Sequence, residues 1–161
     1  MIALSLILPR QQAIFASLLA PYFHEVAPQA RIDPAHRATQ MLNRKDVTAF
    51  WIHFEQARIG FALVLNLPDD RRELSEFMIV PQHRRQGLGQ EAASLILREF
   101  PGRWRMGISK GSPQAAAFWG TCLSLVPGLS ALQTGAPFTD HQTKSYTFDI
   151  AGPDNAQSTD T

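Results

Sequence analysis

The sequence predicts an α/β domain whose elements follow the order β-α-α-β-β-β-α-β-α-β-β. Short runs rich in aromatic and β-branched residues, such as residues 47–54, are typical of strands. Other stretches, such as residues 88–100, space their apolar residues along one face of a helix. Turn-forming Pro, Gly and Asp residues separate the two kinds of segment. The chain has 161 residues, of which 45% are hydrophobic, so we predict one domain over residues 1–150.

The first half of the chain predicts two helices between strands. The apolar residues at the start are expected to form a buried strand, and the helix after it should end before Pro28. Asp33 and Pro34 are a typical N-cap and first-turn pair for a short second helix. The elements are predicted at residues 2–8, 11–26 and 33–43, followed by a hairpin of strands at 47–54 and 59–65. The buried side of the first helix is predicted to carry Ile14, Phe15, Leu18, Leu19 and Tyr22.

The second half predicts strands and helices in alternation. Pro101 and Gly102 end one helix, and Ser112 with Pro113 begins the next. The elements are predicted as a strand at 73–80, a helix at 87–100, a strand at 103–108, a helix from 112, and two weaker strands within 128–150. Residues 151–161 are polar and contain Pro and Gly, so we expect a disordered tail there.

Charge and cysteine content exclude several classes of function. Fifteen basic and 14 acidic residues give a formal charge of +1, whereas nucleic-acid binding needs a broad basic surface. Cys122 is the only cysteine, and the histidines show no metal-ligand spacing, so no disulfide or metal site is expected. The apolar start is too short for a signal peptide or a membrane span. We therefore expect a soluble, cytoplasmic monomer or homodimer without nucleic-acid or membrane partners.

The segment after the strand at residues 73–80 is the most informative for function. Two arginines and two glycines, in Arg84-Arg-Gln-Gly-Leu-Gly-Gln90, stand directly before a predicted helix. Glycines at this place let several backbone N–H groups converge, and the first N–H groups of a helix have no partner within it. The helix dipole and the two guanidinium groups add positive charge. This combination is typical of a site for a phosphate or pyrophosphate.

The order Arg-x-x-Gly-x-Gly between a strand and a helix resembles the acetyl-CoA signature of the GCN5-related N-acetyltransferases, the GNAT superfamily. A second motif, Ser112-Pro-Gln-Ala-Ala-Ala-Phe-Trp119, resembles the next helix of that family, in which Asn and Tyr are usual at the first and last positions. From about residue 51 to residue 123 the chain is similar to a small bacterial branch of uncharacterised predicted acetyltransferases. The resemblance implies a mixed, mostly antiparallel central sheet with helices on both faces. It also implies transfer of an acetyl group from acetyl-CoA to a primary amine of a small molecule or peptide.

The resemblance further assigns residues to the coenzyme. In this family the pantetheine arm pairs like an extra strand with the fourth strand, at a splay between that strand and the next. A backbone N–H near Met78 could then polarise the thioester carbonyl. The residues implied to bind acetyl-CoA are Met78, Ile79, Val80, Arg84, Arg85, Gln86, Gly87, Leu88, Gly89, Gln90, Ser112 and Phe118.

Glu76 is the candidate general base. Strand alternation predicts that it shares an apolar face with Leu74, Met78 and Val80. Burial there would raise the pKa of the carboxyl group toward neutral pH. The alternative is a structural glutamate paired with a neighbouring arginine, Arg71 or Arg72.

The family's role of general acid is moved to another residue or absent here, because Trp119 stands where the family usually has Tyr and an indole N–H is a poor proton donor. Tyr22, Cys122 and Tyr146 are possible substitutes, and His53 is a possible proton relay. The patch Tyr22-Phe-His-Glu25 lies where the family has its acceptor lid.

Two alternatives from other classes remain. The glycines also satisfy a dinucleotide-binding fingerprint, but the acidic residue expected about 20 positions further on is absent. Loss of the tyrosine favours a catalytically silent acyl-CoA-binding module that acts as a sensor or scaffold, whereas the presence of Glu76 favours an enzyme.

Overall fold

The computed structural model describes residues 1–153, which fold around a single seven-stranded sheet. The strands are β1 (Ile2–Leu6), β2 (Val47–Phe54), β3 (Ala57–Asn66), β4 (Arg71–Ile79), β5 (Gly102–Ser109), β6 (Leu129–Gly135) and β7 (Gln142–Ile150). The α-helices are α1 (Gln12–Val26), α2 (Pro34–Asn43), α3 (Leu88–Glu99) and α4 (Pro113–Ser124). The predicted order of elements is confirmed.

The sheet has the strand order β1-β2-β3-β4-β5-β7-β6. All of its neighbouring strands are antiparallel except β4 and β5, which run parallel. Pairing between these two strands extends only from Arg71 to Glu73 on β4, opposite residues 103–105 of β5. The two strands then separate, as the resemblance implied.

Helices cover both faces of the sheet, which confirms the predicted fold class. Helices α1 and α2 pack on one face over a cluster that includes Trp51, Phe61 and Met78. Helices α3 and α4 pack on the other face over Ile52, Val64 and their neighbours. Burial of this apolar area, at roughly 25 cal/mol per Å², is the main force that holds each layer in place.

Local sequence explains where several elements begin and turn. The Asp33 carboxylate accepts hydrogen bonds from the N–H groups of Ala35 and His36, so it caps α2 as predicted. Glu55 and Gln56 both adopt positive φ, which allows a two-residue turn between β2 and β3.

Two sequence expectations need correction. The strand at the N-terminus is buried only in part, because it lies at the edge of the sheet beside β2. Ile2 belongs to the core, but Leu6 is 56% exposed. Ile14 on α1 and Leu95 on α3 are also exposed, since each lies beside the stripe that faces the sheet.

Most of the predicted tail, residues 154–161, lies outside the described residues. No helix among the described residues is long and apolar enough to cross a membrane.

Candidate active site

A β-bulge in β4 sets the direction of the Glu76 side chain. Leu63 of β3 pairs with Glu76, and the next residue of β3 pairs with Leu74, so Ser75 has no partner. The extra residue reverses the alternation, and Leu74 and Glu76 therefore lie on opposite faces of the sheet. The expectation that Leu74 shares a face with Glu76 was wrong for this reason. Glu76 lies on the face of α1 and α2, beside Met78.

Glu76 is hydrogen bonded to Tyr22 of α1, whose hydroxyl donates to Oε2. Burial raises the pKa of Glu76 to about 7, although the hydrogen bond from Tyr22 and the charge of Arg37 act in the opposite direction. The pKa of Tyr22 lies well above its ordinary value because of burial and the neighbouring Glu76. Glu76 therefore exchanges a proton near neutral pH. Its partner is a tyrosine, not the arginine of the alternative interpretation.

The separation of β4 from β5 opens a large cavity of about 910 Å³. The cavity lies among the end of β4, the last turn of α1, the segment before α3, and α4. It adjoins Phe77, Met78 and Ile79 of β4. Because Val80 donates its N–H to Ile59 of β3, alternation directs the backbone groups of Ile79 and Phe77 toward the opening. These peptide groups, not those of Met78, are available to an extended ligand.

The start of α3 forms one end of this cavity. Gly87 is the N-cap residue and has φ 77°, a left-handed conformation that favours glycine. A Cβ atom at Gly87 would meet no atom within 4 Å, so the space above it is open. The N–H groups that follow, from Leu88 to Gln90, belong to the first turn and have no intrahelical acceptor. Arg85 and Gln86 are exposed beside them. This geometry suits an anion, and the binding of a phosphate here stays a prediction.

Arg84 is already engaged by the protein. Its Nε donates to the Ile79 carbonyl at 2.6 Å, and its Nη1 contacts both carboxylate oxygens of Glu25 at 3.1 Å. The ion pair fastens the loop before α3 to the end of α1. A contact between Arg84 and phosphate therefore stays a prediction, and Arg85 is the more accessible of the two arginines.

The motif at the start of α4 lines the opposite wall. The Ser112 hydroxyl is buried and accepts from the Ala115 N–H at 3.1 Å, so it caps the helix. Phe118 stacks on Phe77 with ring centroids 6.0 Å apart, and its ring lies close to Gly89. Trp119, where the family usually has Tyr, is buried against both phenylalanines.

The other residues considered for proton transfer differ in their placement. Cys122 lines the cavity, but burial raises the pKa of its thiol to about 12, which makes it a poor donor. Tyr146 is buried in the core and lines neither cavity. His53 forms a 2.8 Å hydrogen bond with Ser5 and likewise lines neither cavity. Tyr22 alone among them both contacts Glu76 and lines the large cavity.

The last turn of α1 bridges the opening between β4 and β5. Tyr22 binds Glu76 on β4, while the Val26 carbonyl accepts from the Ser109 hydroxyl at the end of β5, at 2.6 Å. Sequence reasoning singled out the patch from Tyr22 to Glu25 but assigned it no partners. The contacts of this patch join residues 54 and 59 positions apart, and that of Val26 spans 83 positions, so no local pattern reveals them.

A second, smaller cavity of about 420 Å³ lies on the other side of Glu76. Helix α2 forms one wall through Arg37, Gln40 and Asn43, and the bulge contributes Ser75. Tyr22 lines the large cavity and Glu76 the small one, so their hydrogen bond joins the two. Across residues 1–153, no group of three His, Cys, Asp or Glu side chains is arranged to hold a metal ion.

Solved structures share this fold at low sequence identity. An acetyltransferase from Thermus thermophilus has 15% identity and a TM-score of 0.72, and the match covers 93% of this chain and 97% of that one. A PaiA N-acetyltransferase from Thermoplasma acidophilum, solved with coenzyme A, has 11% identity and a TM-score of 0.63 over 93% of this chain and 99% of that one. A spermidine N-acetyltransferase from Vibrio cholerae, solved with CoA and spermine, has 13% identity and a TM-score of 0.63 over 91% and 94%.

No curated protein matches the sequence. The model of the acetyltransferase (GNAT) family matches residues 12–120, which include α1, the bulged strand β4, the glycines before α3 and most of α4. The chain therefore belongs to the GNAT family of acetyltransferases.

Proposed function

We propose that this protein is a cytoplasmic N-acetyltransferase that uses acetyl-CoA to acetylate a primary amine of a small molecule or peptide. The observation that carries the proposal is the position of Glu76. This carboxyl group, with a pKa of about 7, lies between a cavity that begins at the glycines of α3 and a smaller cavity suited to a second substrate. An enzyme that transfers an acetyl group to an amine needs a proton acceptor where its two substrates meet.

The large cavity suits the coenzyme in shape and in its polar groups. The open space at Gly87 and the N–H groups from Leu88 to Gln90 would hold the pyrophosphate. The N–H groups of Ile79 and Phe77 and the Phe77 carbonyl would pair with the pantetheine arm, since the Ile79 carbonyl already accepts from Arg84, and Phe118 would pack against the lower part of the arm. A volume of about 910 Å³ is within the range of pockets that hold a ligand of this size.

Glu76 would take the proton that the amine must lose, either directly or through a water molecule. Acetyl-CoA supplies the acetyl group as a thioester, and its thiol, with a pKa near the 8.5 or so of a free cysteine, can depart without a strong acid. No dedicated acid is then required, so the reaction can proceed with Trp119 in the place of the family's usual Tyr. The backbone N–H of Phe77 or Ile79 would stabilise the developing negative charge on the acetyl oxygen.

The direct test measures thiol release from acetyl-CoA across a panel of amines, together with CoA binding by calorimetry. CoA binding and amine-dependent thiol release are expected. The second candidate function is a silent acyl-CoA-binding module, which Trp119 in place of Tyr favours. Binding of CoA without turnover on any amine of the panel would favour the module, and failure to bind CoA would contradict both.

Replacing Tyr22 by Phe is expected to raise the pKa of Glu76 above 7. A hydrogen bond to a carboxylate stabilises its charged form, so removing that bond favours the protonated form. The rising limb of the pH–rate profile should move to higher pH. The ring keeps its edge-to-face contact with Phe61, at 5.3 Å between centroids, so packing is retained. An NMR titration of the Glu76 carboxyl group measures the shift without any acceptor, and an unchanged pKa would contradict the prediction.

Replacing Ser112 by Ala is expected to reduce the free energy of unfolding by roughly 1 kcal/mol and to leave CoA affinity unchanged. The hydroxyl is directed at the Ala115 N–H, so the cap is its main function. Asp33→Ala is the matched control, because it removes the cap of α2, which lies away from the large cavity. Chemical denaturation and calorimetry on both variants check the result. A loss of CoA affinity in Ser112→Ala alone would show that the hydroxyl contacts the coenzyme.

A further inference from the structure

The small cavity beside Glu76 is lined by a basic side chain, Arg37, that forms no ion pair within residues 1–153. Arg37 lines the cavity and lies close enough for its charge to lower the pKa of Glu76. Within residues 1–153 its guanidinium has no carboxylate at ion-pair distance. The Arg37 side chain is exposed, and its guanidinium lies over the ring of Phe23, 6.0 Å from the centroid.

The other side chains of the cavity do not supply a second negative charge. Arg44, which also lines it, is bound to Asp46 through two hydrogen bonds of 2.7 and 2.9 Å, so that pair is neutral as a unit. Gln40, Asn43 and Ser75 are uncharged hydrogen-bonding groups. Among residues 1–153, Glu76 is therefore the one carboxyl group that lines this cavity, and the positive charge of Arg37 acts on it.

This arrangement is complementary to a molecule that carries both an amine and a carboxylate. The amine would lie at Glu76, and Arg37 would hold the carboxylate with two parallel hydrogen bonds, the geometry that guanidinium groups favour. A polyamine would instead place a second positive charge near Arg37, which is unfavourable. The volume of about 420 Å³ is large enough for an amino acid or a dipeptide.

We propose that the acceptor is a small amino acid or short peptide with a free carboxylate, which Arg37 recognises. This inference rests on the proposed N-acetyltransferase function, since it names the class of the second substrate. It adds Arg37 as a specificity-determining residue that neither the glycine motif nor the α4 motif includes.

The test compares L-amino acids and glycylglycine with their carboxamides, which keep the amine and remove the negative charge. Binding to the protein saturated with CoA is measured by NMR or calorimetry, and thiol release from acetyl-CoA is measured in parallel. The affinity for a free acid is expected to be at least tenfold higher than that for its carboxamide. Arg37→Gln should reduce this ratio of affinities to near one. Lys45→Gln is the matched control, because it removes the same charge from an exposed neighbouring position that does not line the cavity.

The outcomes separate this inference from the proposed function. Equal or stronger binding of carboxamides or spermidine, or no binding of any free acid, would overturn the inference even if other amines are acetylated. A preference that persists in Arg37→Gln or disappears in Lys45→Gln would overturn it as well. Binding of free acids that depends on Arg37 but is not followed by thiol release would support recognition of the carboxylate by Arg37, but it would contradict the proposed catalysis and with it the role of these acids as acceptors.

Discussion

Glu76→Gln is expected to lower the turnover of amine acetylation by roughly 10²–10⁴-fold, the usual contribution of a positioned general base. Glutamine keeps the size of the side chain and can still contact Tyr22, but it cannot accept the proton of the amine. CoA affinity should be retained, because Glu76 does not line the large cavity. The rising limb of kcat/KM with an apparent pKa near 7 should disappear in the variant. Steady-state kinetics on an acceptor verified with the wild-type protein measures both effects.

Glu73→Gln is the matched control for this variant. Glu73 lies on the same strand and forms an ion pair with Arg105 at 3.0 Å, but it lines neither cavity. Its replacement should leave turnover nearly unchanged and should lower the pKa of Glu76, because the charge of Glu73 raises that pKa. Trp119→Phe removes packing only and should also leave the chemical step nearly unchanged. Normal turnover in Glu76→Gln would remove Glu76 from the mechanism.

The same residue predicts a pH dependence of stability. The folded protein holds the proton of Glu76 up to a pKa of about 7, whereas the unfolded chain releases it near 4.5. Between these values the unfolded chain binds fewer protons, so the contribution of Glu76 to the free energy of unfolding falls as pH rises. The full effect is on the order of 3 kcal/mol. Denaturation of the wild-type protein and of Glu76→Gln at pH 4.5 and 7.5 should show a smaller decrease in the variant.

Gly87→Val is expected to abolish measurable CoA binding. A branched side chain at this position would fill the open space above the first turn of α3 and block a pyrophosphate from its N–H groups. The left-handed backbone, with φ 77°, adds a stability cost of about 1–2 kcal/mol for a residue with a Cβ atom. Calorimetry with CoA on the folded variant measures the loss of affinity.

Gly128→Val separates the two effects of that substitution. Gly128 has a nearly identical φ of 79° and does not line the large cavity, so its replacement carries a similar backbone cost. It should lower stability to a similar degree and leave CoA affinity intact. Unchanged CoA affinity in a folded Gly87→Val protein would refute the assignment of the site.

The sequence predicted most of the fold because its signals are local. The glycines of the segment from Arg84 to Gln90, the N-caps Asp33 and Ser112, and the apolar periodicity of α3 each depend on residues a few positions apart. Local patterns of this kind locate helices and turns well. The candidate base was chosen from strand alternation, whereas the opening beside β4 was implied by the resemblance to the family.

The contacts that define the site depend on distant residues and could not be predicted in the same way. The bulge at Ser75 changes the face on which Glu76 lies, and nothing in the local alternation of β4 signals it. Tyr22 meets Glu76 across 54 positions, and Arg84 meets Glu25 across 59. The relation between Arg37 and Glu76 likewise arises only when α2 packs over the sheet.

The separation of β4 from β5 creates a strand edge in the interior of the sheet, with a consequence for solubility. Unpaired edges are places where an extended segment of another molecule can add and start aggregation. Here Arg84 donates a hydrogen bond to the Ile79 carbonyl. The hydrogen bond from the Ser109 hydroxyl to the Val26 carbonyl holds the last turn of α1 across the opening. The edge is therefore accessible to a narrow chain that enters along the cavity, but it is protected from the broad approach of a second sheet.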